Sequence, residues 1–294
     1  MTNRKLKFAL FGNIYQTEKS ALTQKVLTCL SAAGAALSMD VDYYKFLKET
    51  RQAELSAVET FTGDNFDADF VISMGGDGTF LQAASRVREK MIPILGVKMG
   101  RLGFLADVSP EEIEAAVNAL SVGAYSIEER ALIAVETDGE PLEGFGCALN
   151  DVAILKRDTA SMIIIRATID GQFLNTYQAD GLIVSAPTGS TAYSLSNGGP
   201  ILAPGTGVFA LTAVAPHSLN VRPIVLPDTS EIELTVESRS HNFLVAIDGR
   251  SAKYREGTKI TLRRAPYNIK VVKRPDNRYF NTLREKMMWG ADSR

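Results

Sequence analysis

The sequence predicts an α/β domain built on a parallel sheet, followed by an antiparallel β domain, with the change of character near residue 125. Two observations predict it. Before that point short apolar runs alternate with stretches of helical periodicity, and strands separated by helices make a parallel sheet with helices on its faces. After it, β-rich segments follow one another, and two of them run into Asp-Gly pairs, the strongest short hairpin signal.

In chain order, Leu6–Phe11 reads as a buried first strand ending at Gly12. Thr17–Ala33 has helical spacing, with Leu22, Val26, Leu30 and Ala33 on one face and Gly34 to end it. Asp69–Met74 is a continuous β-rich run, followed by Gly75-Gly76-Asp77-Gly78 and a helical stretch Thr79–Val87. Ile92–Val97 is another buried strand. Ser109-Pro110-Glu111-Glu112 reads as a capping box with Pro at the first helical position, and Gly123 ends that helix. Leu132–Thr137 and Ile163–Ile169 precede Asp138-Gly139 and Asp170-Gly171. Glu231–Glu237 alternates apolar and polar positions, and Asn242–Ile247, Lys259–Leu262 and Asn268–Val272 continue in that style. Phe280–Trp289 returns to helical spacing through Phe280, Leu283 and Met287. The predicted domains are residues 1–125, joined by the tail 276–294, and residues 126–275.

Composition narrows the function. With 294 residues, two cores are affordable. Lys plus Arg is 32 against 34 Asp plus Glu, a net charge of −2, so no basic excess exists to drive sequence-independent nucleic-acid binding. Two cysteines, Cys29 and Cys147, exclude a disulfide framework or a Cys-rich zinc site, and His217 and His241 follow no metal-ligand spacing. No dedicated metal site is predicted. No apolar run reaches membrane-spanning length, and the segment after Met1 lacks the core and cleavage site of a signal peptide. No membrane partner is expected, and the cytoplasm is the expected compartment.

Three motifs can carry chemistry. The sharpest is Gly75-Gly76-Asp77-Gly78-Thr79, directly after a strand and before a helix. Ligands of open α/β sheets sit beyond the carboxyl ends of strands, where glycines let a phosphate approach backbone N–H groups and a helix N-terminus adds a favourable dipole. A carboxylate there repels phosphate unless it binds a metal or takes a proton from an attacking hydroxyl, and both roles point to phosphoryl transfer. The simpler alternative is an Asx-turn in which Asp77 caps the helix at Thr79.

The second motif is Asp180–Pro200, where a strand, Leu182–Ser185, runs into a loop dense in hydroxyls: Thr188, Ser190, Thr191, Tyr193, Ser194 and Ser196. Such a loop suits ribose, amide or phosphate groups, and equally suits a loop that satisfies itself through ST-turns. The third is Asn150-Asp151, an amide beside a carboxylate able to bind a ribose diol, or a plain strand-end turn. Asp248-Gly249 reads locally as a hairpin turn. Gly205-x-Gly207-x-x-Ala210 lacks the strand-to-helix setting of a dinucleotide fingerprint, and P-loop, protein-kinase and nucleophile-elbow motifs are absent.

Together the motifs resemble the NAD kinase family. The resemblance rests on Gly75-Gly76-Asp77-Gly78-Thr79-Phe80-Leu81, Gly100-Arg101-Leu102-Gly103-Phe104-Leu105, Leu149-Asn150-Asp151 and Asp180-Gly181-Leu182-Ile183-Val184-Ser185 running on through Thr188–Ser194 to Gly198-Gly199-Pro200. Pro216-His217-Ser218-Leu219 and the tail Tyr279–Leu283 add to it. It begins near residue 70, and residues 1–69 resemble nothing specific. It implies a Rossmann-like N-terminal domain, a C-terminal antiparallel β-sandwich and ATP-dependent phosphorylation of the 2′-hydroxyl of the adenosine ribose of NAD. It implies Asp77 as the residue that activates the hydroxyl, with Gly75, Gly76, Gly78 and Thr79 close to phosphates. Asn150 and Asp151 would hold the ribose, and Asp180 the nicotinamide amide. Thr188, Thr191, Ala192, Tyr193 and Ser196 would line the adenine and phosphate path, with Phe104 and Ala215 closing on a ring. Ser161, Asp248 and Arg250 complete the implied nucleotide-binding set. Arg250 departs from the Gln that many members carry two residues after the aspartate aligned with Asp248, and Asp151 is the shorter equivalent of a Glu. Mg²⁺ would arrive with ATP, and a homodimer or homotetramer is implied. The competing readings are a lipid kinase sharing the GGDG loop, and a non-catalytic NAD(P)-binding regulator.

Overall fold

The computed structural model describes residues 5–14, 20–50, 53–55, 58–100, 102–139, 141–142, 144–157, 161–273 and 279–289. The predicted helix start Thr17–Lys19, Arg101 and parts of the tail (274–278 and 290–294) lie outside them. In chain order the elements are β1 (Lys7–Gly12), α1 (Ser20–Ala32), β2 (Ala36–Asp40), α2 (Val41–Glu49), β3 (Val58–Phe61), β4 (Phe70–Gly75), α3 (Asp77–Val87), β5 (Ile94–Lys98) and α4 (Ile113–Val122). They continue as β6 (Ser126–Thr137), β7 (Cys147–Ala148), β8 (Asp151–Lys156), β9 (Ile163–Ile169), β10 (Gln172–Ala179), β11 (Gly181–Ser185), α5 (Tyr193–Ser196) and β12 (Val208–Val214). The last are β13 (Ile224–Pro227), β14 (Ile232–Glu237), β15 (Asn242–Ile247), β16 (Arg250–Arg255), β17 (Ile260–Lys273) and α6 (Tyr279–Met287). Contacts divide the chain into one unit of Met1–Glu129 with Ile269–Arg294 and a second of Arg130–Asn268.

The first unit carries a parallel sheet in the order β3-β2-β1-β4-β5, with Val271 of β17 beside Ile94 of β5. One face is filled by Phe8, Leu10, Phe70, Ile72, Met74, Leu95 and Val97, packed with Val26 and Leu30 of α1 and Val117 and Leu120 of α4. Ala9, Phe11 and Val71, which alternate with them, are buried too, so these strands are covered on both sides, which accounts for the unbroken apolar runs. The neighbours of β1 are β2 on one side and β4 on the other, so the strand order reverses there. The crevice at such a reversal is where open α/β sheets bind ligands, and Gly12 and Gly75 end the two strands that form it.

Three elements of this unit, β2, α2 and β3, were not read in the sequence: β2 (ALSMD) and β3 (VETF) break their apolar runs with polar residues, and α2 spans only 9 residues. Asp40 starts α2 by accepting the N–H groups of Asp42 and Tyr43. The helix predicted from Pro110 begins three residues later, at Ile113. Glu112 does reach back to the Ser109 N–H at 2.9 Å, but the bond closes a turn ahead of the helix.

The second unit is a sandwich. Its antiparallel six-stranded sheet runs β13-β12-β11-β8-β15-β16, and its other sheet runs β10-β9-β14 to the first part of β17, with β6 and β7 alongside. Val152, Ile154, Leu182, Val184, Phe209, Leu211, Phe243 and Val245 from the first meet Ile163, Ile165, Ile232, Leu234, Val236, Ile260 and Leu262 from the second in one core. Asp170 and Gly171 both take positive φ, at 49° and 77°, and join β9 to β10 as the tight hairpin the sequence predicts. Asp138-Gly139 does not make one: β6 pairs with β7 beyond a longer connection, and Asp138 accepts the Lys259 N–H instead. The two predicted strands Lys259–Leu262 and Asn268–Val272 are one strand, β17. Pro266 lies inside it, past Leu262, the last residue registered with β14, and before Val271, which pairs with β5.

Candidate active site

In the first unit β4 delivers Gly75 and α3 begins at once, with Gly76 as N-cap and Asp77 as the first helical residue. No side chain caps this helix, so Asp77 is not the Asx cap of the simpler reading. Its carboxylate turns to the segment after β5. Oδ2 accepts the Phe104 N–H at 3.0 Å, and Oδ1 accepts those of Leu105 and Ala106 at 3.0 and 3.2 Å. These bonds fill three of the roughly four lone-pair sites of a carboxylate and leave one on Oδ2. Two glycines permit the approach. A Cβ on Gly103 would lie 2.1 Å from Asp77 Oδ1, and one on Gly96 would lie 2.4 Å from the Leu105 carbonyl oxygen.

The glycines differ in what they offer. Gly78 is exposed and Gly76 half-buried, with open space where a Cβ would be, so their backbone is reachable. Gly75 is buried under Thr79, whose Oγ1 would stand 2.1 Å from a Cβ on it. Thr79 itself is buried and serves this packing. Phe104 is half-buried, with its ring 6.2 Å from that of Tyr279 and the Lys286 ammonium 5.1 Å above it.

In the second unit, Asp151 opens β8 and Asn150 precedes it, and both are held by Asp248, which sits on the β15–β16 hairpin with φ 47°. The Asp248 carboxylate accepts the N–H groups of Leu149, Asn150 and Asp151 at 2.8, 2.7 and 3.3 Å, and its own N–H goes to the Asp151 carbonyl at 3.1 Å. Asp248-Gly249 is therefore a hairpin turn, as its local sequence reads, and also the anchor of the Asn150 turn. Burial pushes both carboxyls up. Asp151 rises to about 7, first through burial and then through the Asp248 charge. For Asp248 the three N–H bonds and Arg250 oppose the rise. Arg250 is exposed.

The hydroxyl-rich loop divides in two. Ser190 bonds Pro187 and Leu202, and Ser194 bonds Thr212, so both buried hydroxyls hold the loop itself. Thr188 is buried and takes a bond at 3.3 Å from Arg130, an arginine only 4% exposed. Thr191 and Ala192 are half-buried, while Tyr193 and Ser196 are exposed and presented outward. Gly189 brings the loop onto Asn150. Asp180 pairs with Lys156 at 2.7 Å, a partner its motif does not reveal. Ala215 is exposed just past β12 with φ 43°. Ser161 stands elsewhere, on a cavity of about 480 Å³ with Gln178, Glu237 and Glu256 that none of the other predicted residues lines. Among the described residues no group of three or more His, Cys, Asp and Glu could hold a metal ion. Nor is any described helix long and apolar enough to cross a membrane.

Two family models match: the ATP-NAD kinase N-terminal domain over residues 8–125 and the ATP-NAD kinase C-terminal domain over residues 149–274. The chain belongs to the NAD kinase family. It is 56% identical to an NAD kinase of Bacteroides fragilis over 98% of this chain and 100% of that protein. It is 42% identical to an NAD kinase of Porphyromonas gingivalis, covering 97% and 98% of the two chains. An Archaeoglobus fulgidus NAD kinase solved in complex with ATP superposes with a TM-score of 0.72 at 25% identity, covering 96% of this chain and 99% of that one. Yeast NADH kinase complexed with NADH shares the fold, with a TM-score of 0.87 at 22% identity over 100% and 90%. Family membership makes the chain a phosphotransferase, and neither the lipid-kinase nor the regulator reading finds support. It also extends the resemblance: residues 8–69, which carry no motif of their own, fall within the N-terminal family domain.

Proposed function

We propose that the chain transfers the γ-phosphoryl group of ATP to the 2′-hydroxyl of the adenosine ribose of NAD, forming NADP. The single observation that carries this reading is the setting of Asp77, a carboxylate fixed at the head of α3 beside exposed glycine backbone. Gly76 and Gly78 offer N–H groups and the helix dipole to phosphate. Asp77, with the lone pair its three bonds leave open, activates the hydroxyl, and a base so placed contributes typically ~10²–10⁴-fold. The remaining acceleration comes from positioning and from neutralising phosphate charge. Mg²⁺ enters the reaction as part of the MgATP substrate.

In the second unit Asn150 and Asp151, locked by Asp248, take the ribose diol. Tyr193, Ser196, Thr191 and Ala192 line the adenine and phosphate path, with Thr188 behind them on Arg130. Asp180 takes the nicotinamide amide. The cytoplasm is the proposed compartment and a homodimer or homotetramer the proposed assembly.

The test is NADP formation by purified protein given NAD, ATP and Mg²⁺, alongside Asp77→Asn. Product from the parent and almost none from the variant is the expected result. Equal turnover by both would remove Asp77 from the chemistry, and no product from either would remove the reaction.

A further inference from the structure

Three carboxylates carry the proposed chemistry, Asp77 in the first unit and Asp151 and Asp248 in the second, and two of them are committed to backbone. Asp77 accepts three N–H bonds and so does Asp248. Asp151 is different. Its residue is only 6% exposed, its backbone N–H goes to Asp248, and burial and the Asp248 charge, not a hydrogen bond to its carboxyl, set its titration. It stands next to Asn150 at the start of β8. Because Val152 and Ile154 face the sandwich core, alternation along the strand puts Asp151 and Ala153 on the opposite sheet face.

The groups packed around it are few. β11 sets Ser185 opposite it, β15 carries no ionisable residue, and the loop 186–191 contributes only hydroxyls and backbone. The β15–β16 turn brings the Asp248 carboxylate against the same turn of chain. Arg250 acts on Asp248, Arg130 is bonded to Thr188, and Lys156 with Asp180 belongs to the far end of β8. Asp151 therefore faces a like charge and has no cation or backbone donor of its own among the described residues.

We propose that Asp151 distinguishes product from substrate: it is protonated when the 2′-phosphate of NADP lies against it and donates a hydrogen bond to that phosphate. The inference rests on the reading that Asn150 and Asp151 hold the ribose. A hydroxyl suits either state of the carboxyl, because it donates to a carboxylate and accepts from an acid. A phosphate dianion suits only the acid. The ionised form would add like-charge repulsion to the desolvation both anions already bear. NADP thus binds with uptake of a proton and NAD without it. Burial and the Asp248 charge set the free group near neutrality, where the difference is felt. Above that pH NADP affinity falls while NAD affinity does not.

Calorimetric titration of the whole protein with NADP and with NAD tests this. The range is pH 7 to 9, above the second phosphate pKa of about 6, in two buffers of different ionisation enthalpy. In the parent protein NADP affinity should fall toward about tenfold per pH unit, with proton uptake, while NAD affinity stays level. In Asp151→Asn, a neutral isostere, NADP affinity should be level and proton uptake lost. Asp151→Glu, which still titrates, should keep the fall, and it carries the test if the asparagine variant does not fold. Equal pH slopes for parent and Asp151→Asn, or for NADP and NAD, would overturn the proposal. A parallel kinase assay separates the two levels. If NADP is formed but the slopes are equal, this inference alone fails; if no NADP is formed, the ribose reading fails and takes it along.

Discussion

A Cβ on Gly189 would lie 2.1 Å from the carbonyl oxygen of Asn150. The same carbonyl accepts the Ala186 N–H at 2.9 Å, so the start of the hydroxyl-rich loop is laid directly on the Asn150 turn. That turn is in turn fixed by Asp248. The loop and the ribose pair are one assembly, and the glycine is what allows them to touch.

Gly189→Ala should separate them. The obstructing atoms are the backbone C, O and Cα of Asn150, which have no rotamer to swing away. Overpacking of this kind costs roughly 1–3 kcal/mol. Thermal unfolding should show the loss, and KM for NAD should rise with it. An unchanged KM would mean that the loop does not contact nucleotide.

Asp77→Asn has two separable effects. One amide oxygen can still serve Leu105 and Ala106, but the NH₂ then faces the Phe104 N–H, donor against donor. An unsatisfied group of this kind costs about 1–3 kcal/mol. Turnover should fall by about 10²–10⁴ through loss of the base. Gly103→Ala supplies the comparison: it keeps the carboxylate but crowds Oδ1, so it should disturb the 103–106 turn while leaving an ionisable group in place. If both variants lose turnover equally, Asp77 acts by holding the turn.

Asp180→Ala should raise KM for NAD more than KM for ATP. The Lys156–Asp180 pair is partly exposed, and such pairs are worth at most about 1 kcal/mol, so the melting temperature should barely move. Steady-state kinetics with each substrate varied in turn decides it, and equal changes in both constants would detach Asp180 from the nicotinamide end.

Asp151 also makes stability depend on pH. Its pKa is raised from 3.8 to about 7, so between those values the folded protein keeps a proton that the unfolded chain has released. Stability from this group therefore falls as pH rises through that window and is level above it. Asp151→Asn does not titrate. It should be more stable than the parent at pH 8, by an amount on the order of a few kcal/mol, and show no such gain at pH 4. Denaturant unfolding at the two pH values measures this, and a gain of equal size at both would place the effect in packing rather than charge.

The sequence by itself determined the two-part architecture and the identity of the motifs. Periodicity of 3.6 or 2 records which face of an element is buried, and unbroken apolar runs such as Phe70–Met74 or β-rich ones such as Ile163–Ile169 mark buried strands. Asp170-Gly171 was equally legible, because a two-residue hairpin with both φ positive is a local demand. β2 and β3 were not, since polar residues interrupt their few apolar positions, and α2 is only 9 residues long. Pro266 concealed the continuity of β17 for a different reason: whether a proline is tolerated depends on which neighbours need its N–H.

For the site, the sequence supplied the chemistry and the tertiary structure its distribution. Nothing local says that Asp77 turns to Phe104, Leu105 and Ala106, or that Asp248 holds a turn almost a hundred residues before it. Nor does it divide the loop hydroxyls into Ser190 and Ser194, spent on the fold, and Tyr193 and Ser196, presented outward. Carboxylates and hydroxyls are alike in sequence. Their roles are set by which backbone donors reach them and how much water remains, and both depend on contacts between segments distant along the chain.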